Sequence, residues 1–210
     1  MSEDIRQYLQ ECAASYGIAV SDGQAEQFQW YMELLIEWNE KMNLTAITEP
    51  KAVVVKHFLD SILLLPELEQ GDTLIDVGTG AGFPGVPLKI LRPGLHLTLL
   101  DSLNKRLIFL REVLDRLGLD AQIVHARAEE GGRQAGLRTK FAFATARAVA
   151  PLNLLCEYCL PLVRVGGVFI AMKGPDADAE LGGSAAALKK LGGAYGDTRA
   201  FTLPDGSERR

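Results

Sequence analysis

The sequence predicts an α/β fold in which helices cover both faces of a mostly parallel sheet. Three observations predict it. From Thr73 onward, apolar strand-like runs alternate with helical patterns. The first run is followed by four glycines within eight residues, from Gly78 to Gly85, and the second run ends at a carboxylate, Asp101. A parallel sheet brings such loops and carboxylates together at the carboxyl edge of its strands, where ligands bind.

Length and composition narrow the class of protein. The chain has 210 residues, of which 48% are hydrophobic and 23% charged, which suits one α/β domain with an appendage. No apolar run approaches the ~20 residues of a membrane helix, and the amino terminus lacks the features of a signal peptide. Three cysteines favour free thiols in a reducing cytoplasm. The net charge of −5 argues against a general electrostatic nucleic-acid binder but allows a local basic face.

Helical patterns come before the sheet. The first helix is predicted over residues 3–16, and Ser21 with Asp22 is expected to cap the second. Tyr31 and Trp38 of the second helix are interpreted as core residues. The apolar stripe that includes them has steps of three and four residues, and it consists of Phe28, Tyr31, Leu35, Trp38 and Met42.

A third helical segment is predicted to begin at Pro50. His57 within it is interpreted as a core or interface histidine, with catalysis as the alternative. Together these helices form a predicted extension, residues 1–70, that packs on a core domain, residues 71–210.

The sheet and its helices follow in alternation. Strands are predicted over residues 73–77, 96–100, 122–125, 141–146 and 168–172, with a sixth expected within residues 194–203. Helices are predicted over residues 85–91, 103–118, 151–160 and 176–191.

The glycine loop after the first strand is the strongest candidate binding site. Gly78, Gly80 and Gly82 follow Asp76 on every second residue. Glycine tolerates positive φ and leaves the backbone bare, so that a ligand can lie against it. The amides at the start of the following helix favour an anionic group.

Two ligand classes remain open for this loop. A G-x-G-x-x-G dinucleotide fingerprint fails from Gly78, because Phe83 occupies the position of the third glycine. The fingerprint fits formally from Gly80 through Gly82 to Gly85, although that match starts late after the strand. The alternative, an acidic residue followed by alternate glycines, is similar to the first motif of class I S-adenosylmethionine-dependent methyltransferases.

Polar residues at later strand ends are further candidates. Asp101 is placed to accept hydrogen bonds from ribose hydroxyls, or else to cap the helix that follows. Ala128 and Glu129 follow the third strand beside the predicted crevice. Arg147 closes the fourth strand and is either a site residue or a surface arginine, and Lys173 follows the fifth strand.

Cys156 and Cys159 form a C-x-x-C pair on a predicted helix. A zinc site needs a second ligand pair, and a redox motif needs a strand-to-helix turn, and neither context is present in the sequence. Both cysteines are interpreted as core residues, and no metal site is predicted.

Taken together, these residues resemble the RsmG (GidB) family, bacterial methyltransferases that modify small-subunit ribosomal RNA. The resemblance spans most of the chain in the family's order. The motifs that carry it are Trp38-Asn39 with Asn43-Leu44-Thr45, His57-Phe58-Leu59-Asp60-Ser61, the loop from Asp76 to Gly85, Leu99-Leu100-Asp101-Ser102 with Lys105-Arg106, and Arg147-Ala148.

The resemblance implies a class I methyltransferase fold and methyl transfer from S-adenosylmethionine to N7 of a guanine in the 530 loop of 16S rRNA. It implies that Gly78 and Phe83, with Gly80 and Gly82, line the cofactor. Ala128 and Glu129 would flank the adenosine, and Arg147 would close the site. Asp101 on the ribose follows from the class I fold in general. We expect a cytoplasmic monomer whose partner is 16S rRNA or the 30S subunit, without a metal or a membrane.

Guanine N7 carries a lone pair and no proton, so this reaction needs no general base. Catalysis by positioning is therefore expected, with Arg147 as the catalytic residue that orients the guanine through O6 or holds the cofactor's carboxylate. Lys105, Arg106 and Lys173 are the predicted RNA contacts.

One departure from the family and three alternatives complete the expectations. Family members continue past the segment Glu208-Arg209 into a final apolar strand, which this sequence lacks. We expect either that the core domain is truncated, which would leave polar strand edges unpaired, or that its sheet closes in another way. The alternatives are an NAD(P)-dependent oxidoreductase using Gly80, Gly82, Gly85 and Asp101, a catalytically silent methyltransferase-like domain that binds RNA, and a small-molecule methyltransferase.

Overall fold

The computed structural model describes residues 4–69 and 71–210. Glu3, where the first helix was predicted to begin, lies outside the described residues. So does residue 70, at which the predicted extension ends, and the division of the chain at that point stays a prediction.

Two helices open the described chain, α1 (Ile5–Ala14) and α2 (Asp22–Met42). The predicted cap at Ser21 is confirmed as a capping box, in which the Gln24 amide donates to the Ser21 hydroxyl and the Ser21 amide donates to the Gln24 side chain. Asn43 ends α2 in the left-handed region, with φ of 48°.

The third helical segment is irregular. It was predicted as one helix, but it comprises α3 (Pro50–Val53), a π-helical turn (Val54–Leu59) and α4 (Asp60–Ile62). A 3₁₀ turn, Leu65–Glu67, precedes the first strand. Single π-helical turns inside α-helices frequently mark functional sites.

The main sheet is parallel and has five strands in the order β3-β2-β1-β4-β5. Because the chain runs outward from β1 in one direction and resumes at β4 on its other side, the strand order reverses between β1 and β4, which is where ligands bind in such sheets. The strands are β1 (Thr73–Val77), β2 (His96–Asp101), β3 (Gln122–His125), β4 (Phe141–Arg147) and β5 (Val163–Met172).

Five helices alternate with these strands: α5 (Gly85–Leu91), α6 (Asn104–Leu117), α7 (Ala128–Gly131), α8 (Leu152–Cys159) and α9 (Ala177–Lys190). A 3₁₀ turn, Leu160–Leu162, follows α8. The predictions for β1, α5 and β3 are confirmed to the residue. The prediction that β5 begins at Val168 was wrong, because β5 starts at Val163 and bulges away from β4 between two paired segments.

The core has two layers, one on each face of the sheet. Leu74 belongs to the layer that includes the amino-terminal helices, α5 and α6. Ile75 and Val77 belong to the second layer, which α8 covers. Cys156 and Cys159 on α8 are buried free thiols, as the core interpretation expects.

The carboxyl-terminal residues form a small hairpin, β6 (Phe201–Thr202) with β7 (Glu208–Arg209). The predicted sixth strand is therefore present, but it pairs with β7 and not with the main sheet. Arg210 and Lys173 exchange two backbone hydrogen bonds of 3.0 Å, which attaches the hairpin to the end of β5. Among residues 4–69 and 71–210, no strand pairs with the outer edge of β5, and no helix is long and apolar enough to cross a membrane.

Candidate functional site

The loop after β1 is shaped by the buried carboxylate of Asp76. Its Oδ2 accepts a hydrogen bond from the Thr79 hydroxyl at 2.7 Å and another from the Gly85 amide at 3.0 Å. Burial raises the pKa of Asp76 to about 6. Asp76 thus joins both ends of the glycine loop instead of facing a ligand.

The glycines in this loop are required by its backbone. Gly78, Gly80 and Gly82 have φ values of +68°, +62° and +99°, in the region that favours glycine. Space is restricted as well, since a Cβ on Gly78 would lie 2.7 Å from a methyl carbon of Val149. The alternate glycines found in the sequence therefore reflect conformation and close approach together.

Asp101 ends β2 beneath the loop and is only 2% exposed. Its Oδ2 accepts from the Gly80 amide at 2.9 Å and from Arg106 at 3.3 Å, while its Oδ1 accepts from the Leu103 amide at 2.8 Å. A carboxylate has about four acceptor positions, so one remains for a hydroxyl. Asp101 therefore orders the start of α6, and its predicted contact with ribose stays a prediction.

A cleft of about 290 Å³ opens at this edge of the sheet. It lies at the reversal of strand order, between the loop after β1 and the segment after β4. Val149 and Tyr158 form apolar parts of its wall. Five of the predicted site residues line it: Gly78, Asp101, Arg106, Ala128 and Glu129.

Arg147 ends β4 and contacts Phe83 of the glycine loop, but it does not line this cleft. Its guanidinium is 5.0 Å from the centre of the Phe83 ring, a cation–π contact. One terminal nitrogen, Nη1, donates to the Lys56 carbonyl at 2.9 Å and to Asp60 Oδ2 at 3.1 Å. The other, Nη2, lies 3.2 Å from His57 Nδ1. Arg147 is therefore a fixed interior residue and not a surface arginine.

His57 connects Arg147 to the end of α2. Its ring stacks on Phe83 with centroids 4.5 Å apart, and its Nε2 lies 2.8 Å from the hydroxyl oxygen of Thr45. Burial, and then the nearby charge of Arg147, lowers the pKa of His57 to about 4. The histidine is consequently neutral near pH 7, as the interface interpretation expects.

Asp60 joins three parts of the chain. Besides Arg147, its other carboxylate oxygen accepts from Nε of Arg209 in β7 at 3.0 Å. Next to this pair, Lys56 forms a 3.3 Å ion pair with Asp205 in the same hairpin. Asp60 thus links the start of α4, β4 and the carboxyl-terminal hairpin through one buried carboxylate.

The predicted RNA contacts have different surroundings. Lys105 is exposed on α6, whereas Arg106 is held against Asp101. Lys173 Nζ lies 2.7 Å from Glu180 and 3.2 Å from the Ala150 carbonyl, beside the segment that lines the cleft. All three roles in RNA binding stay predictions.

A larger groove of about 880 Å³ runs along the outer edge of β5. Its walls come from α8, α9 and residues 191–199, and it includes none of the loop glycines. The smaller cleft is therefore the better candidate for the chemistry, because the glycine loop and Asp101 meet there.

Comparison with known proteins agrees with this geometry. Residues 24–202 match the model of the GidB family, described as rRNA small subunit methyltransferase G. This chain belongs to that family. Membership makes it a methyltransferase with S-adenosylmethionine as cofactor, and it rules out the NAD(P)-dependent oxidoreductase alternative.

Two relatives show how far the similarity extends. The chain is 52% identical over 199 residues to ribosomal RNA small subunit methyltransferase G of Alkaliphilus metalliredigens, covering 93% of this chain and 83% of that protein. It is 49% identical over 213 residues to the protein of the same name from Symbiobacterium thermophilum, covering 98% and 87%.

Solved structures support the fold alone, because their sequences are distant. A SAM-dependent methyltransferase from Aquifex aeolicus matches with a TM-score of 0.56 at 18% identity, over 80% of this chain and 94% of that one. The YcgJ protein of Bacillus subtilis matches with a TM-score of 0.57 at 14% identity, over 69% and 72%.

Sequence reasoning did not assign Thr45, Asp60 and Tyr31 to the surroundings of the site. Thr45 and Asp60 lie inside two of the motifs that carry the family resemblance, which is the signal that marks them. Tyr31 was taken as a core residue; it is buried, but its hydroxyl also reaches the glycine loop.

Proposed function

We propose that this chain transfers a methyl group from S-adenosylmethionine to N7 of a guanine in the 530 loop of 16S rRNA, presented by the 30S subunit. The observation that carries the proposal is the glycine-loop cleft with Arg147 fixed beside it, in a chain of the GidB family. A ribosomal substrate would place the enzyme in the cytoplasm, where we expect a monomer without a metal.

The residues around the cleft suit this cofactor. Positive-φ glycines leave bare backbone on one side, and the Asp101 carboxylate retains an acceptor position for a ribose hydroxyl. Ala128 and Glu129 lie where an adenosine would be flanked. When bound, S-adenosylmethionine supplies a methyl group on a sulfonium, which is already electrophilic.

The side chains near the loop need only hold the guanine. N7 offers a lone pair without a proton, so no base has to be deprotonated before the transfer. Neutral His57 and the buried Asp76 are engaged in internal hydrogen bonds, which is consistent with a site without a general base. Arg147 would donate a charge-assisted hydrogen bond to guanine O6 or to the cofactor's carboxylate.

Binding of RNA would depend on few contacts. The chain carries a net charge of −5, and Arg106 and Lys173 are already paired with Asp101 and Glu180. Lys105 is the most exposed of the three predicted contacts. Because few phosphate contacts give weak binding to naked RNA, we expect the assembled 30S particle to be the better substrate.

The test is methyl transfer from labelled S-adenosylmethionine to 30S subunits and to naked 16S rRNA, both unmodified at the 530-loop guanine. We expect 7-methylguanosine at that position, with faster transfer to the particle. Arg147→Ala should lower kcat by about 100-fold or more, as expected for loss of a positioning contact in the transition state. Cofactor-analogue binding without transfer to either substrate would instead support the alternative of a catalytically silent methyltransferase-like domain. Label on a small molecule would support the alternative of a small-molecule methyltransferase.

A further inference from the structure

Three hydrogen-bond acceptors from one short stretch of the amino-terminal extension surround Arg147. They are the Lys56 carbonyl, the His57 ring nitrogen Nδ1 and the Asp60 carboxylate, at 2.9, 3.2 and 3.1 Å from the guanidinium. The π-helical turn, Val54–Leu59, contains the first two acceptors, and Asp60 follows it directly. We call these three groups and the Phe83 ring beneath them the guanidinium cradle.

The tautomer of His57 follows from these contacts. His57 Nδ1 lies 3.2 Å from Arg147 Nη2, which can only donate, and 3.2 Å from the Lys56 carbonyl, which can only accept. Because the Lys56 carbonyl already accepts from Arg147 Nη1 at 2.9 Å, we assign the tautomer in which Nδ1 presents its lone pair to Arg147. The ring proton is then on Nε2 and is donated to the Thr45 hydroxyl oxygen at 2.8 Å. That oxygen also accepts from the Ile47 amide at 3.0 Å, and the Asn39 side chain accepts from the Thr45 amide at 2.8 Å. Asn39 near the end of α2 and Thr45 just after it therefore hold His57 with Nδ1 as the hydrogen-bond acceptor.

A count of donors shows what the cradle leaves available. Arginine has five N–H groups. Nη1 donates both of its protons and Nη2 donates one. Nε–H and the second proton of Nη2 have no acceptor among residues 4–69 and 71–210. Two donors in one plane remain, which is the arrangement that reads two adjacent acceptors.

One buried carboxylate compensates two guanidinium groups at the cradle. Asp60 is buried and accepts from both Arg147 and Arg209, from two different elements. Removing this carboxylate would leave two guanidinium groups close together with reduced compensation. The neutral His57 adds a hydrogen-bond acceptor without adding charge. It therefore orients the Arg147 guanidinium more than it attracts it electrostatically.

We propose that His57 and Asp60 are positioning residues for the methyl transfer, which hold Arg147 over the Phe83 ring with its two remaining donors directed at the guanine. This inference rests on the proposed function and deepens it, because the amino-terminal extension then completes the active site. The geometry requires a planar group with several donors, which lysine lacks. Arg147→Lys should therefore lose about as much activity as Arg147→Ala.

The first experiment separates turnover from cofactor binding. Asp60→Asn and His57→Phe are made in the full chain; the phenylalanine keeps a ring against Phe83 but removes the acceptor. On unmodified 30S subunits we expect kcat to fall by about 10- to 100-fold, as for a displaced reactive contact. The dissociation constant of S-adenosylhomocysteine should remain within about two-fold, because neither residue lines the cleft.

Asp205→Asn is the matched control. It removes a carboxylate from the same neighbourhood, the partner of Lys56, without contacting Arg147. We expect wild-type kcat for this variant. Wild-type kcat in both Asp60→Asn and His57→Phe would overturn the inference, as would an equal loss in Asp205→Asn. If Asp60→Asn does not fold, His57→Phe carries the same decision.

The second experiment asks whether the cradle recognises a guanidinium group itself. In Arg147→Ala, guanidinium chloride at low millimolar concentration should restore part of kcat, and sodium chloride at the same concentration should not. In Arg147→Ala with Asp60→Asn, the same rescue should be at least about ten-fold weaker, because a charged acceptor is missing. Equal rescue in the single and double variants would contradict the inference.

Binding of guanidinium is also measured without activity. The cation should raise the melting temperature of Arg147→Ala relative to sodium chloride, and this rise should disappear in the double variant. If the wild-type protein transfers no methyl group while this binding is observed, the proposed function is wrong, but recognition of a guanidinium group by the cradle is supported. If the wild-type protein transfers the methyl group normally but neither rescue nor binding is detected, the inference about the cradle is wrong and the proposed function is supported.

Discussion

The Tyr31 hydroxyl donates a hydrogen bond to the backbone carbonyl of Ala81 in the glycine loop. Tyr31 lies on α2 and is fully buried, and burial raises its pKa well above the usual range. Its ring stacks on Phe83, with centroids 5.3 Å apart. Helix α2 therefore supports the glycine loop by one hydrogen bond and one aromatic contact.

Tyr31→Phe should weaken both the fold and cofactor binding. The change keeps the ring contacts but leaves the Ala81 carbonyl without its donor, which should lower the free energy of unfolding by about 1–3 kcal/mol. The dissociation constant of S-adenosylhomocysteine should rise several-fold, because the loop becomes less ordered. Urea unfolding and calorimetry measure the two effects.

Tyr16→Phe provides the control for this variant. The Tyr16 hydroxyl also donates to a backbone carbonyl, that of Thr202, far from the loop. The Tyr16→Phe variant should lose stability without any change in its affinity for S-adenosylhomocysteine. Equal effects of the two changes on affinity would show that the Tyr31 hydroxyl has no specific role at the loop.

Gly82→Ala should be much more destabilising than an alanine at another left-handed glycine. A Cβ on Gly82 would lie 2.5 Å from the Tyr31 hydroxyl, 2.8 Å from Val86 and 2.9 Å from Leu110, and φ is +99°. Gly17 has φ of +73° but no atom near the added Cβ. We expect a loss of about 1 kcal/mol for Gly17→Ala and at least about 3 kcal/mol for Gly82→Ala.

Urea unfolding of both variants measures the difference. Equal losses would mean that backbone conformation alone decides the cost at Gly82 and that the contact with Tyr31 relaxes freely. The comparison thus separates strain in φ from steric overlap.

Local patterns predicted the parts of the fold that depend on local chemistry. β1 and α5 are bounded by glycine and proline, and an uninterrupted apolar run fits a strand buried on both faces, so their limits could be derived from the sequence. The meeting of Gly78 and Asp101 at one cleft followed from the rule for carboxyl edges of parallel strands.

Distant pairings were beyond that reasoning. Asp60 meets Arg147 across 87 residues and Arg209 across 149. The apolar pattern after Pro50 predicts a helix but does not show that a π-helical turn interrupts it, and that turn carries His57. Because such contacts depend on how whole elements pack, the residues that hold Arg147 emerged only from the structure.

Asp76→Asn should change how stability depends on pH. An unfolded aspartate ionises near 3.8, whereas the native pKa of Asp76 is about 6, so the native state holds more protons between these values and stability falls as pH rises. The difference corresponds to about 3 kcal/mol. Asparagine does not ionise. Relative to Asp76→Asn, the wild-type protein should therefore lose about 2 kcal/mol between pH 4 and pH 7, most of that difference.

Urea unfolding of the two proteins across this range measures the change. Asp76 Oδ1 and the neighbouring Thr145 hydroxyl have no hydrogen-bond partner in the described chain, which is why burial dominates. A free-energy difference between the proteins that stays constant with pH would contradict the raised pKa.

His57→Phe should give the opposite pH dependence. The native pKa of His57 is about 4, whereas its ordinary value is 6.5. Between these two pH values His57 is therefore protonated in the unfolded chain but not in the native state. Stability of the wild-type protein is therefore lost as pH falls from 6.5 towards 4, by at most about 3 kcal/mol. Phenylalanine cannot take up this proton, so the free energy of unfolding of the wild type relative to His57→Phe should decrease on acidification. The two residues oppose each other between pH 4 and pH 6, which should leave the wild-type curve flatter there than either single variant's. A wild-type curve that follows one variant across this range would show that only one of the two residues titrates as its burial requires.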